Sequence, residues 1–134
     1  AYDVHDIEDG LRAGMFGEAA LAEASSLWRH AEARVEARHP GFLARTQDVN
    51  LRVKRTSNEL IKLCIQDLIA SSAERLAAAA PARPDDARRA PGMLIGHSER
   101  LAPMVAELAQ FLFRAFYRHP HLVELADHAN AVLD

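Results

Sequence analysis

From Thr46 to Ala79 the sequence contains neither glycine nor proline. These are the two residues least compatible with a helix interior. Within the stretch Val49, Val53, Leu60, Ile61, Cys64, Ile65, Leu68, Ile69 and Leu76 recur at helical spacing. The segment is therefore expected to be the longest helix and the spine on which shorter elements pack. Cys64 is the single cysteine. Set among Leu60, Ile61, Leu63, Ile65 and Leu68, it reads as a small core hydrophobe and not as half of a disulfide or a zinc ligand.

The rest of the sequence is helical in pattern too. Tyr2, Val4, Ile7 and Leu11, with acids between them, predict a first helix that stops near Gly14. Leu21, Ala24, Trp28, Ala31 and Val35 predict a second, running to Arg38 and broken by His39-Pro40-Gly41, with Trp28 in the core. Pro81 to Gly96 holds three prolines, Asp85-Asp86 and Arg88-Arg89 and reads as a surface connection in which only Met93, Leu94 and Ile95 are buried. Leu101, Met104, Val105, Leu108, Phe111, Leu112 and Phe116 predict a further helix, whose start Pro103 leaves open by a turn. His119-Pro120-His121 ends it, and Leu122, Leu125, Ala126, Ala129, Val132 and Leu133 predict a short last helix. No alternating strand pattern competes, so the expected fold is an all-α helical bundle.

With 134 residues and 49% hydrophobic content, one ordinary core is within reach. Residues 1–134 are read as a single helical segment: 1–16 end a first helix, 17–80 hold the spine, 81–97 connect, and 98–134 form the C-terminal helices. Sixteen Lys and Arg against nineteen Asp and Glu give a formal charge of −3, which offers no electrostatic drive toward nucleic acid. No stretch approaches the roughly 18 consecutive apolar residues of a membrane span, and no leader pattern is present; cytoplasmic residence without a membrane partner is the expectation. An acid-rich helical pattern begins at Ala1 with neither cap nor leader, as expected of a sequence entered in mid-domain.

The densest polar cluster is Tyr2-Asp3-Val4-His5-Asp6-Ile7-Glu8-Asp9-Gly10. Tyr2, Asp6 and Asp9 share one helix face, and His5 and Asp9 share a neighbouring one. Imidazole and carboxylate at that spacing can converge on a metal, but two ligands are too few, and on spacing alone a solvated acidic face is the better account of the pattern. The string from Ala1 to Phe16 resembles the AYxxHDIxDGLRAGxF stretch of the deoxyguanosine triphosphate triphosphohydrolase-like family of HD-domain phosphohydrolases. Asn58-Glu59-Leu60-Ile61 with Asp67-Leu68-Ile69, then Arg89-Ala90-Pro91, and then Phe111 to Pro120 extend the similarity over nearly the whole chain.

The resemblance implies the C-terminal part of a divalent-metal-dependent (Mg or Mn), homo-oligomeric hydrolase that takes intact triphosphate from a deoxynucleoside triphosphate. Residues 1–16 would then be the tail of an HD-domain helix. In the family's order all four metal ligands, two histidines and two aspartates, precede Tyr2, so the resemblance implies no catalytic and no metal residue in this chain. His5-Asp6 is not the family's metal-binding pair, because it follows the Ala-Tyr element. What carries over is Tyr2 and Asp6, which resemble residues contacting the sugar and phosphate region; a carboxylate there can accept a hydrogen bond from a 3′-hydroxyl.

A basic group, Arg45, Arg52, Lys54 and Arg55, stands at the head of the spine. Forked guanidinium groups suit a triphosphate, which makes Arg52 a weaker candidate phosphate contact. Of the seven histidines, His39, His119 and His121 flank prolines or breaks, and His30, His97 and His128 read as isolated surface or packing residues. Phe111, Phe113, Phe116 and Tyr117 read as core or subunit contacts and not as a base-stacking platform. The competing functional class is a non-catalytic helical interaction or regulatory module with its acidic first helix and Phe-rich fourth helix at interfaces.

Overall fold

Every regular element of the computed structural model is helical, among described residues that comprise the backbone of 2–133 and the side chains of 4–129 and 131. In order they are α1 (Tyr2–Arg12), α2 (Glu18–Ala24), α3 (Ser26–Arg38), α4 (Phe42–Arg45), α5 (Val49–Ala79), α6 (Pro84–Arg88) and α7 (Ala102–Leu112). A π-turn (Phe113–Tyr117) and α8 (Pro120–Leu133) follow. Helix α5 is the spine. Asp48 opens it by accepting a hydrogen bond from Leu51 N at 3.3 Å, which satisfies one of the donors that a first turn leaves open. Across α5 lie α3 and α1, and α7 closes the layer over α3. Trp28, Ile7, Leu21, Leu27, Leu101 and Leu112 are fully buried where these helices meet.

Several helix starts are sealed by a carboxylate from another element. Glu107 on α7 accepts Ser26 N at 2.7 Å at the head of α3. Glu36 on α3 accepts Gly41 N at 2.6 Å and Leu43 N at 2.7 Å at the head of α4. Asp67 on α5 accepts Ser98 N at 2.9 Å and Ser98 Oγ at 2.6 Å, just ahead of α7. Each bond satisfies an open donor and places negative charge at the positive end of a helix dipole.

The structure departs from the sequence expectations at identifiable places. The second predicted helix is two, because Ser25 adopts an extended conformation (φ −125°) and its hydroxyl accepts Trp28 N at 3.2 Å, starting a new helix in mid-stripe. The buried face of α5 is partly polar, with Thr56, Ser57, Glu59, Ser71 and Ser72 inside, while Val49, Ile65, Ile69 and Leu76 are exposed. The connection contains the one-turn helix α6, capped by Asp86, whose carboxylate accepts Arg83 N at 2.9 Å. It is tied to α5 by Gly96 N on Ser72 Oγ at 3.1 Å and Arg75 on the His97 carbonyl at 2.7 Å. Backbone bonds hold it there in place of apolar burial, so Met93 (82% exposed) and Ile95 are outside, and only Leu94 of the three expected residues is half-buried. Pro103 occupies the second position of α7, where no N–H is required. The α8 stripe faces outward except for half-buried Leu122; the side chains of Val132 and Leu133 lie outside the described residues. No described helix is long and apolar enough to cross a membrane.

Candidate functional site

Helix α1 is fixed by Val4 and Ile7, both buried, and packs against α5 and α7, with a further flank toward Phe116 and Tyr117 of the π-turn. On the α5 side a cleft of about 230 Å³ is lined by Glu8, Leu11 and Arg12 from α1 and by Val49, Asn50, Val53 and Lys54 from α5. Two cations and an amide face a single carboxylate there; Arg12 also pairs with Asp9 at 3.2 Å, so Lys54 and Asn50 are the groups best placed to meet an anionic group.

On the other flank, Tyr117 donates its hydroxyl hydrogen to Asp6 Oδ2. One turn along α1, Gly10 lies against two aromatic rings: a Cβ there would collide with Phe16 and stand 3.2 Å from Phe116. The Phe16 ring in turn meets Phe111 edge-on at 5.0 Å. The π-turn makes these contacts possible. Arg118 N reaches the Phe113 carbonyl at 3.1 Å, an i→i+5 bond that places one more residue in the turn and re-aims Tyr117 relative to a continued α-helix. The strings 1–16 and 111–120, both part of the resemblance, are thus the ones that meet.

Of the candidate contacts, Asp6 is half-buried beside Tyr117, and the side chain of Tyr2 lies outside the described residues. Arg52 is engaged elsewhere: it forms an ion pair with Glu18 and donates to the Thr46 carbonyl at 2.6 Å. The Glu18 hydrogen bond holds its guanidinium pKa above the ordinary value. Asp6 and Arg52 therefore sit in separate networks, and neither lines the cleft. Of the other basic residues, Arg45 donates to the Pro40 carbonyl at 2.8 Å and Arg55 stacks over Phe42 at 5.6 Å, whereas Lys54 opens onto the cleft.

Glu59 and Asp67, quoted for the resemblance, hold the fold together. Glu59, 3% exposed, faces Arg38 at 2.6 Å, Lys62 at 2.9 Å and Arg34 at 3.5 Å. Its hydrogen bond from Lys62, with the nearby guanidinium groups, outweighs burial and holds the carboxyl below its ordinary range. Burial pushes Asp67 up, but hydrogen bonds from Ser98 and His97 overcome it, so Asp67 too titrates low. His97 is accordingly not isolated: its Nδ1 lies 3.2 Å from Asp67 Oδ2. The two stand 30 residues apart, so the sequence carries no periodic signal for this pairing.

A divalent cation does not fit these residues. Among the described residues no three His, Cys, Asp or Glu side chains converge as a ligand set, and His5 with Asp9 supplies only two.

No family model matches the chain. Curated proteins do. Over 133 residues, 99% of this chain, it is 38% identical to a deoxyguanosinetriphosphate triphosphohydrolase-like protein of Rhodopseudomonas palustris, covering 31% of that protein. It is 36% identical to proteins of the same name from Bordetella pertussis, over 99% of the chain and 33% of the relative, and from Ralstonia nicotianae, over 100% and 33%. The chain is homologous to a segment of the deoxyguanosinetriphosphate triphosphohydrolase-like proteins. It spans about a third of the length of these relatives. Both flanks of α1 and the π-turn belong to the shared stretch, since the match covers nearly every residue.

Proposed function

We propose that this chain is the C-terminal portion of a metal-dependent deoxynucleoside triphosphate triphosphohydrolase, in which it forms one wall of the nucleotide pocket and part of the subunit packing surface. The observation that carries the reading is the homology itself, which runs through the α1 string on which Asp6 stands. In this reading Asp6 and Tyr2 contact the sugar and its neighbouring phosphate. The cleft with Arg12, Asn50 and Lys54 is the anion-binding side of the wall. Arg52 contributes to the phosphates only by leaving Glu18. The divalent cation, Mg or Mn, is held by residues outside this chain, and the chain by itself releases no triphosphate. The residues here bind and orient; no step of the chemistry is assigned to them.

The test is Asp6→Asn in the full-length protein. A charge-assisted hydrogen bond is worth about 1.5–3 kcal/mol, so kcat/KM for a deoxynucleoside triphosphate should fall about ten- to a hundredfold. Bound metal should stay at the wild-type level. Loss of metal would place Asp6 in the ligand set and overturn the assignment. A full-length protein that releases no triphosphate from any deoxynucleotide would favour the helical interaction module, which is supported by the exposure of Phe113 and Ile69.

A further inference from the structure

We infer that Tyr117 is a positioning residue for Asp6, orienting the carboxylate so that its second oxygen receives the sugar hydroxyl; the inference rests on the proposed function of Asp6. A carboxylate on a helix surface has several χ1 wells and a broad χ2, so an unassisted Asp6 would present either oxygen in many directions. Tyr117 removes that freedom. Its hydroxyl donates to Oδ2 from an element 111 residues away in sequence, and its ring is set edge-on to Phe116 at 5.3 Å.

Two further features keep the donor in place. The i→i+5 bond from Arg118 N to the Phe113 carbonyl sets the azimuth of Tyr117, and π-turns of this kind concentrate at functional sites. Phe116, the neighbouring residue, approaches α1 at Gly10, one turn beyond Asp6, where the missing Cβ lets the π-turn sit close. The phenol has a single proton and it is committed to Asp6, so toward a substrate Tyr117 can act only as an acceptor. Its contribution is to prepay the ordering of Asp6 before the deoxynucleotide arrives.

The experiment uses the full-length enzyme with Tyr117→Phe, which keeps the ring and removes the hydroxyl. With a deoxynucleoside triphosphate, kcat/KM is expected to fall about three- to tenfold, less than for Asp6→Asn, because the Tyr117 bond acts on the substrate only through the orientation of Asp6. In an Asp6→Asn background the same change should have no further effect. A 2′,3′-dideoxynucleoside triphosphate, measured as substrate or as competitive inhibitor, should not distinguish Tyr117→Phe from wild type. A general packing role would lower both substrates equally and would act independently of Asp6→Asn; either result, or unchanged kcat/KM with the deoxynucleotide, overturns the inference while leaving the reading of Asp6 standing. A wild-type enzyme without triphosphate release overturns both.

Discussion

Gly10 shows how a single residue sets the distance between α1 and the π-turn. A methyl group at this position would drive into Phe16, which is held against Phe111, and would crowd Phe116. Gly10→Ala gains up to about 1 kcal/mol of helix propensity but meets an overpacking cost of about 1–3 kcal/mol. A net loss of up to about 2 kcal/mol is expected in thermal or denaturant unfolding; a more stable variant would show that the rings can move aside. At this scale the sequence was legible in one direction only. Asp6 stood out as a polar residue at a telling spacing, but its partner Tyr117 could not be read, because the contact depends on a π-turn that leaves no trace in a 3.6-residue period. For Arg52 the sequence shows the charge alone, whereas its engagement with Glu18, 34 residues away, belongs to the tertiary fold.

At the scale of elements, apolar spacing located α1, α3, α5 and α7 but did not say which side of α5 faces inward. Of the nine apolar residues that set the helical period of the spine, only Val53 and Leu60 are buried. The inner face is instead drawn by Glu59, Ser72 and Asp67, each of which ties down another segment. Glu59 and Asp67 both titrate below their ordinary values of 4.5 and 3.8. A depressed folded-state pKa contributes stability that is present above the ordinary value and is lost as pH falls through the lower, folded value. Unfolding free energy is therefore expected to hold near neutrality and to drop from about pH 4.5 downward. Asp67→Asn should cost about 1.5–3 kcal/mol at pH 7 through its Ser98 bonds and flatten that acid slope. Denaturant titrations from pH 3 to 7 check this, and a variant with the wild-type slope would mean that Asp67 is not a source of it.

For the whole molecule, the outward side of α5 matters most. Ile65 and Ile69 stand one turn apart and more than half exposed. Ile65 also borders an apolar cavity of about 280 Å³ walled by Val4, Leu27, Ile61 and Val105. Apolar surface of this kind favours association. Sedimentation velocity of the chain at micromolar concentration should show reversible self-association, and the double change Ile65→Lys, Ile69→Lys should shift it toward monomer. A monomer at all concentrations before any substitution would sink the expectation. A different consequence follows from the seal on α3. The carboxylate that receives the Ser26 amide belongs to Glu107, 81 residues further along the chain. At a synthesis rate of about 5–20 residues per second, roughly 4–16 s separate the emergence of the two. During that interval Ser25 can already cap Trp28 N, but the Ser26 amide is without its carboxylate, which only the arrival of α7 supplies.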